Sequence, residues 1–172
     1  MERLFAPWRM TYIANDAKQD THSVKSGCVF CDKPAERSDA TNLIIHRGEN
    51  AFVLLNLYPY NNGHMMVAPY LHTANLQDLS EKTLTEMMGL VQSCEVALCD
   101  AYSPQGYNIG MNIGQIAGAG IADHLHMHVV PRWAGDTNFM PVVAQVKVLP
   151  DSLSGSYDKI LAAWRKSFRG SF

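Results

Sequence analysis

The chain has 172 residues, of which 47% are hydrophobic and 17% charged. That is enough apolar material for one domain with a buried core, and it excludes a wholly disordered chain. The formal net charge of −2 argues against a nucleic-acid coat or a polybasic membrane binder. No run approaches the roughly 18 apolar residues of a membrane span, and the N-terminus lacks the apolar run of a signal peptide. We therefore expect a cytoplasmic protein without nucleic-acid or membrane partners.

The first third of the chain predicts an arm followed by strands. Residues 1–27 mix aromatic and polar side chains without a clear period, which is typical of an arm. Two strand-like runs, 43–47 and 51–57, flank a hairpin-type turn. A loop rich in Pro, Asn and Gly follows, and a third strand covers 64–69 and stops at its proline.

The rest of the chain predicts two helices and two more strands. One helix begins after Ser80, and apolar residues at three- and four-residue spacing carry it to Asp100. Strands are predicted over 107–113 and 124–132, and a last helix over 156–168. Strands joined by short turns indicate an antiparallel sheet with helices packed on it, so the predicted fold class is α+β.

Three histidines at alternate positions are the sharpest chemical signal: His124, His126 and His128. In a strand this spacing places all three on one face, about 6.6–6.8 Å apart. The glycine-rich stretch 114–120 leads into them and can bring backbone N–H groups close to an anion. A neutral imidazole can attack phosphorus, and a second one can neutralise phosphoryl oxygens. The run therefore indicates phosphoryl chemistry.

His-x-His-x-His followed by two apolar residues resembles the signature of the histidine triad (HIT) superfamily. The likeness spans about residues 28–150, which would form the HIT domain, with 151–172 as a C-terminal helix packed on it. Residues 118–123, before the triad, and 129–133 with 135–141, after it, are most similar to the diadenosine tetraphosphate phosphorylase and HIT hydrolase branch. The resemblance implies a homodimer in which two five-stranded halves share one ten-stranded sheet.

The resemblance also implies roles for individual residues. His126 corresponds to the nucleophile, and His128 would contact the phosphoryl oxygens. Asn56 matches the residue that grips the ribose hydroxyls, and Asn112 matches the Asn or Gln that touches phosphate. His64 either lines the base or ribose pocket or simply packs.

One element of the family pattern is absent, namely the Gln-Ser or Gln-Thr pair just before the triad. Its absence leaves phosphate contacts to backbone amides such as those of Gly118 and Gly120. Arg132 is a further candidate for holding a second anion, and the alternative is that it serves the dimer. Two other histidines, His22 and His46, are interpreted as ordinary surface residues.

Cys28 and Cys31 form a C-x-x-C pair, a spacing typical of zinc sites and of redox pairs. No βαβ pattern supports a thioredoxin-like context. The resemblance implies His72 and His124 as the remaining ligands of a structural zinc with four protein ligands. The competing interpretation is two buried thiols and a surface histidine. Cys94 and Cys99 are interpreted as small apolar residues of a helix.

The triad beside the glycine-rich loop favours an enzyme that acts on a nucleoside phosphate through a nucleotidyl intermediate on His126, and the resemblance implies dinucleoside polyphosphates as its substrates. Either inorganic phosphate or water then releases the nucleotide, and the branch likeness favours phosphate. An alternative is a nucleotide-binding sensor with slow turnover. A third is a zinc scaffold or redox module that rests on Cys28 and Cys31 and does not need His126.

Overall fold

The computed structural model describes residues 27–137 and 149–168. Its sheet has five antiparallel strands in the order β1-β2-β3-β5-β4. The strands are β1 (Ile44–Arg47), β2 (Ala51–Leu55), β3 (Met65–Pro69), β4 (Gly106–Met111) and β5 (Met127–Arg132). The predicted α+β class and five-stranded sheet are confirmed, and sharing of the sheet in a homodimer stays a prediction.

Four helices accompany the sheet in the described part of the chain: α1 (Val29–Ala35), α2 (Asp39–Asn42), α3 (Glu81–Tyr102) and α4 (Leu153–Ser167). The two long ones, α3 and α4, were predicted. Each begins after a serine whose hydroxyl accepts a backbone N–H: Ser80 from Thr83 at 3.1 Å and Ser152 from Gly155 at 3.0 Å. The short helices α1 and α2 were not predicted.

The two faces of the sheet have different partners. On one face α3 and α4 cover the larger apolar core, which includes Val53, Leu55, Met65, Val67, Leu125 and Val129. On the other face Phe30 of α1 packs in a smaller cluster with Ile44, Phe52, Leu54, Met66 and Ala68. Because side chains alternate along a strand, residues between the members of the first cluster belong to the second face. We call this second face the α1 face.

The triad segment keeps the predicted alternation but not the predicted strand limits. β5 begins at Met127, three residues later than expected, so His124 and His126 precede the strand. Leu125 and Val129 nevertheless lie in the core beneath α3 and α4. The backbone N–H of Leu125 donates to Thr73 O at 2.7 Å instead of to a strand partner. The histidines therefore face the opposite way, as predicted.

The structure also bears on the predictions made for the remaining cysteines and histidines. Cys94 is buried in α3, whereas Cys99 is exposed. His46 is not an ordinary surface residue, because its partly buried ring stacks on Trp164 at 5.2 Å and burial lowers its pKa. The arm and His22 lie outside the described residues, apart from Gly27.

No helix within residues 27–137 and 149–168 combines the length and the apolar character that a bilayer crossing requires.

Candidate active site and metal centre

All three histidines of the triad are buried at the start of β5, on the α1 face. Their exposed fractions are 1% for His124, 5% for His126 and 9% for His128. The rings of His126 and His128 lie 4.8 Å apart, edge to face. His128 stands in the sheet between Met66 of β3 and Gly110 of β4. Because Gly110 has no side chain, that flank of the site stays open.

His126 has the tautomer that a nitrogen nucleophile needs. Its Nδ1 lies 2.9 Å from the carbonyl oxygen of His124, a contact that requires the proton on Nδ1. The lone pair is then on Nε2. Burial lowers the pKa of His126, although the bond to the His124 carbonyl opposes this shift. The imidazole is therefore held neutral, with one nitrogen able to attack.

A chain of hydrogen bonds assigns the opposite tautomer to His128. The backbone N–H of Tyr60 donates to Nδ1 of His64 at 3.1 Å, so the proton of His64 is on Nε2. His64 Nε2 lies 2.9 Å from Nδ1 of His128 and donates to it. The proton of His128 is therefore on Nε2, where the N–H can donate a hydrogen bond to an oxygen. His64 is 1% exposed, so it packs behind His128.

Asn56 lies directly after β2, on the same side as this histidine chain. Its Oδ1 accepts the backbone N–H of Tyr58 at 2.9 Å, and its Nδ2 lies 3.3 Å from His64 Nδ1. The amide is thus oriented from both ends and only partly buried. The structure brings Asn56, His64 and His128 together at one end of the sheet.

Asn112 and the glycine-rich loop lie on the other flank of the triad. The pairing of Met111 with Met127 and of Gly110 with His128 places Asn112 opposite His126. Asn112 Nδ2 is 3.5 Å from the carbonyl of Gly118. The N–H of Gly118 donates to Gln115 O at 3.0 Å, so that amide is already used within the loop.

The backbone N–H of Gly120, unlike that of Gly118, is not used in a hydrogen bond within the described loop. Within the described part of the chain no group accepts a hydrogen bond from its N–H, and the residue is exposed. Gly120 is therefore the amide of this pair that can meet an anion without breaking a loop hydrogen bond.

Arg132 has partners within the protein and does not point to a second anion. Its Nε and Nη2 donate to Asp136 at 2.6 and 3.0 Å, and its Nη1 donates to Asn108 at 2.6 Å. The guanidinium holds the pKa of Asp136 well below its usual range. Asp136 also accepts from Asn61 Nδ2 at 2.8 Å. Arg132 thus fixes the turn that follows β5.

Cys28, Cys31, His72 and His124 form a cluster whose ligand atoms all lie within 4.8 Å of one another. The individual contacts are 3.3 Å for Cys28 Sγ to His124 Nδ1, 3.4 Å for Cys31 Sγ to His72 Nδ1, 3.6 Å for Cys31 Sγ to His124 Nδ1 and 3.2 Å for His72 Nδ1 to His124 Nδ1. Ligands of tetrahedral zinc, at about 2.0–2.3 Å from the metal, are roughly 3.3–3.8 Å apart. The donor set therefore fits a metal ion.

The neighbours of the cluster favour metal binding further. His124 Nε2 lies 2.9 Å from Pro69 O and donates to it, which leaves the lone pair of Nδ1 for a metal. Burial raises the pKa of the Cys28 thiol, and a bound cation is the usual means of stabilising a buried thiolate. The cluster joins the start of α1, the segment after β3 and the triad.

The fold and the histidine run together define an α+β protein of the histidine triad type. The HIT domain family model matches residues 37–135. The chain is 37% identical to an AP-4-A phosphorylase of Mycobacterium tuberculosis, over 96% of this chain and 86% of the relative. It belongs to the HIT domain family.

Solved structures agree with this assignment. A zinc-bound histidine triad family protein from Mycobacterium smegmatis is similar with a TM-score of 0.66 and 27% identity, over 83% of this chain and 96% of that one. A histidine triad nucleotide-binding protein from Sulfolobus tokodaii gives a TM-score of 0.64 and 27% identity, over 83% and 92%.

Two residues of the site were missed from the sequence, Phe30 and Tyr60. Phe30 is 1% exposed and packs against the rings of His124 at 5.3 Å and His126 at 4.6 Å. The ring of Tyr60 stacks on His128 at 5.5 Å. The sequence did contain a signal for Phe30, because it lies between Cys28 and Cys31. Two residues that bind the same metal hold the side chains between them close to the metal site.

Proposed function

We propose that this protein cleaves dinucleoside polyphosphates of the diadenosine tetraphosphate type through a nucleotidyl intermediate on His126. The observation that carries the proposal is the buried, neutral His126, whose Nδ1 donates to the His124 carbonyl and whose Nε2 is left to attack. The relative named AP-4-A phosphorylase supports the substrate class.

In the first step, His126 Nε2 attacks the α-phosphorus at one end of the substrate. A P–N bond forms, and the P–O bond to the remaining polyphosphate breaks. His128 keeps its proton and donates a hydrogen bond from Nε2–H to an oxygen of the reacting phosphoryl group or the leaving group. Covalent catalysis of this kind divides one difficult displacement into two easier ones. With diadenosine tetraphosphate the products of this step are adenylylated His126 and ATP.

In the second step, inorganic phosphate attacks the same phosphorus. The P–N bond breaks, His126 recovers its lone pair, and the released product is ADP. Water in place of phosphate would release AMP. We favour phosphate because the relative that aligns with 96% of this chain is named a phosphorylase.

Three groups around the triad are proposed to hold the substrate. Asn56, oriented by Tyr58 and His64, binds the ribose hydroxyls. Asn112 and the amide of Gly120 bind phosphoryl oxygens, and donors aimed at developing negative charge are the usual source of stabilisation in such reactions. The Gly118 carbonyl anchors Asn112.

The metal cluster is proposed to hold one structural zinc through Cys28, Cys31, His72 and His124. Four protein ligands leave no position for a reacting water. The zinc would act as a crosslink between the N-terminal segment and the triad. We also propose a homodimer in which β4, an outermost strand with an exposed Ile109, meets its counterpart.

The test of the nucleophile is the variant His126→Asn, which keeps a polar side chain but cannot form the intermediate. We expect turnover of diadenosine tetraphosphate to fall at least about a thousandfold, with the melting temperature retained. Intact-mass spectrometry after an alkaline quench should find a nucleotidyl adduct on wild type and none on the variant. His46→Asn, at the opposite edge of the sheet, is the matched control. Activity of the His126 variant above about a hundredth of wild type would contradict the assignment.

The product profile decides between the proposed reaction and its alternatives. With isotopically labelled phosphate, we expect ADP carrying the label together with ATP. AMP plus ATP, unchanged by added phosphate, would establish hydrolysis. Tight nucleotide binding without multiple turnovers would instead identify the sensor.

A further inference from the structure

Lys33 is a partly buried lysine of α1 that the proposed reaction does not use. Helix α1 covers the sheet face that carries the triad, so Lys33 belongs to the side of the sheet where a nucleotide would bind. We propose that Lys33 binds the nucleobase, by donating a hydrogen bond to an acceptor on the edge of the base. The proposal rests on the proposed function.

The position of Lys33 follows from its backbone contact. Its Nζ lies 3.4 Å from the carbonyl oxygen of Asn42 and donates to it. The next residue, Leu43, accepts the backbone N–H of Leu55 through its own carbonyl at 2.9 Å. Leu55 is the last residue of β2 and immediately precedes Asn56. The ammonium therefore lies at the β1 side of the end of β2.

The order of the strands gives the direction of a bound nucleotide. The triad belongs to β5, Asn56 follows β2, and β3 lies between them. Neighbouring strands are about 4.8 Å apart, so a nucleotide with its phosphate at His126 and its ribose at Asn56 crosses the sheet toward β1. Its base then lies at the β1 side, which is where Lys33 stands.

Lys33 also has hydrogen-bonding capacity to offer. The ion pairs between described residues do not include it. The nearby Glu36 carboxylate attracts the Lys33 ammonium through its charge, and it accepts a hydrogen bond from Asn42 Nδ2 at 3.0 Å. An ammonium has three N–H donors, and the single bond to Asn42 is long. Lys33 can therefore donate to a ligand without losing an internal partner.

The chemistry of the ammonium restricts what it recognises. Lysine offers donors and no acceptor, so it favours base edges that present a ring nitrogen or a carbonyl oxygen. Its aliphatic stem can pack against the flat face of the base. The residue would thus contribute to binding and base preference, and not to the chemical step.

The test compares two ligands that differ only in the base, AMP and ribose 5-phosphate. By calorimetry we expect Lys33→Met to weaken AMP binding about tenfold, the usual effect of losing a hydrogen bond to a charged group. Binding of ribose 5-phosphate should stay unchanged. Lys33→Arg, which keeps the donors, should retain most of the affinity. In turnover, Lys33→Met should raise KM with kcat nearly constant, because uniform binding is lost.

The matched control is Lys82→Met, since Lys82 is an exposed lysine paired with Glu49 across the β1–β2 turn. Equal weakening of both ligands by Lys33→Met would show a phosphate contact and overturn the proposal, as would unchanged AMP binding. Wild type that binds neither ligand would refute the proposed function itself, and this inference with it.

Discussion

Phe30 is the side chain that packs between His124 of the metal-ligand cluster and the proposed nucleophile His126, so its removal should lower both stability and turnover. The ring is 1% exposed and contacts the rings of His124 and His126 at 5.3 and 4.6 Å. Phe30→Ala removes a fully buried ring and leaves a cavity, which costs about 3–5 kcal/mol. In a chain of this size each kcal/mol lowers the melting temperature by about 2–4 °C. We therefore expect a decrease of roughly 6–20 °C.

The assay is urea unfolding and calorimetry of proteins with measured metal content. Phe30→Leu fills much of the space and should cost less than half as much as Phe30→Ala. The alanine variant should also have a kcat about tenfold lower, because the imidazole of His126 loses the aromatic ring that packs against it. A melting temperature within about 2 °C of wild type, or equal effects of the two substitutions, would refute this packing argument.

Glu86 accepts three hydrogen bonds of 2.6–2.8 Å from Glu49 and Asn50, and Glu86→Gln should lower the free energy of unfolding by about 1–3 kcal/mol in urea titrations. Burial raises the pKa of Glu86, but these bonds outweigh it and hold the pKa below its usual range, so the stabilisation is present above the ordinary carboxyl pKa and lost as pH falls through the folded value. Ile109→Lys should convert the proposed dimer to a monomer in sedimentation experiments, and a persisting dimer would exclude β4 pairing. His72→Ala should lower zinc below one per chain and abolish the effect of chelators on the melting temperature.

The sheet could be predicted from the sequence because its strands are short apolar runs between turn residues. All five were located, with their ends displaced by no more than three residues. The helix α1 could not be predicted in this way. It has seven residues and contains Pro34, so it offers no helical period to detect. Its position depends on Phe30 packing beneath the sheet and on the cysteines on either side, which are long-range contacts.

In the triad segment, the alternation of apolar and polar residues predicts which way the side chains face, but not where the strand begins. Alternation correctly predicted that Leu125 and Val129 enter the core and that the histidines face the other way. It also extended the strand to His124, which is wrong, because the N–H of Leu125 bonds to Thr73 after β3. Only the three-dimensional arrangement reveals that competing partner.

The register of the strand pairs also determines contacts that cannot be predicted from the spacing of residues along the sequence. His64 and His128 are 64 residues apart, and they meet because β3 pairs with β5 through Met66 and His128. Arg132 shares the triad's phase along the strand, yet Asp136 four residues later pairs with its guanidinium. The sequence therefore offered Arg132 as a free cation, whereas the structure pairs its guanidinium with Asp136.

His124 connects the two halves of the site within a single residue. Its Nδ1 belongs to the metal cluster, and its Nε2 donates to Pro69 O, so the orientation of its ring is fixed from both sides. Its carbonyl oxygen accepts the Nδ1 proton of His126 and thereby selects the nucleophilic tautomer. Movement of the His124 backbone would turn that carbonyl away and release the proton to either nitrogen. We therefore expect a metal bound at this cluster to support the proposed reaction without contacting substrate, because it would hold in place the peptide group that orients His126.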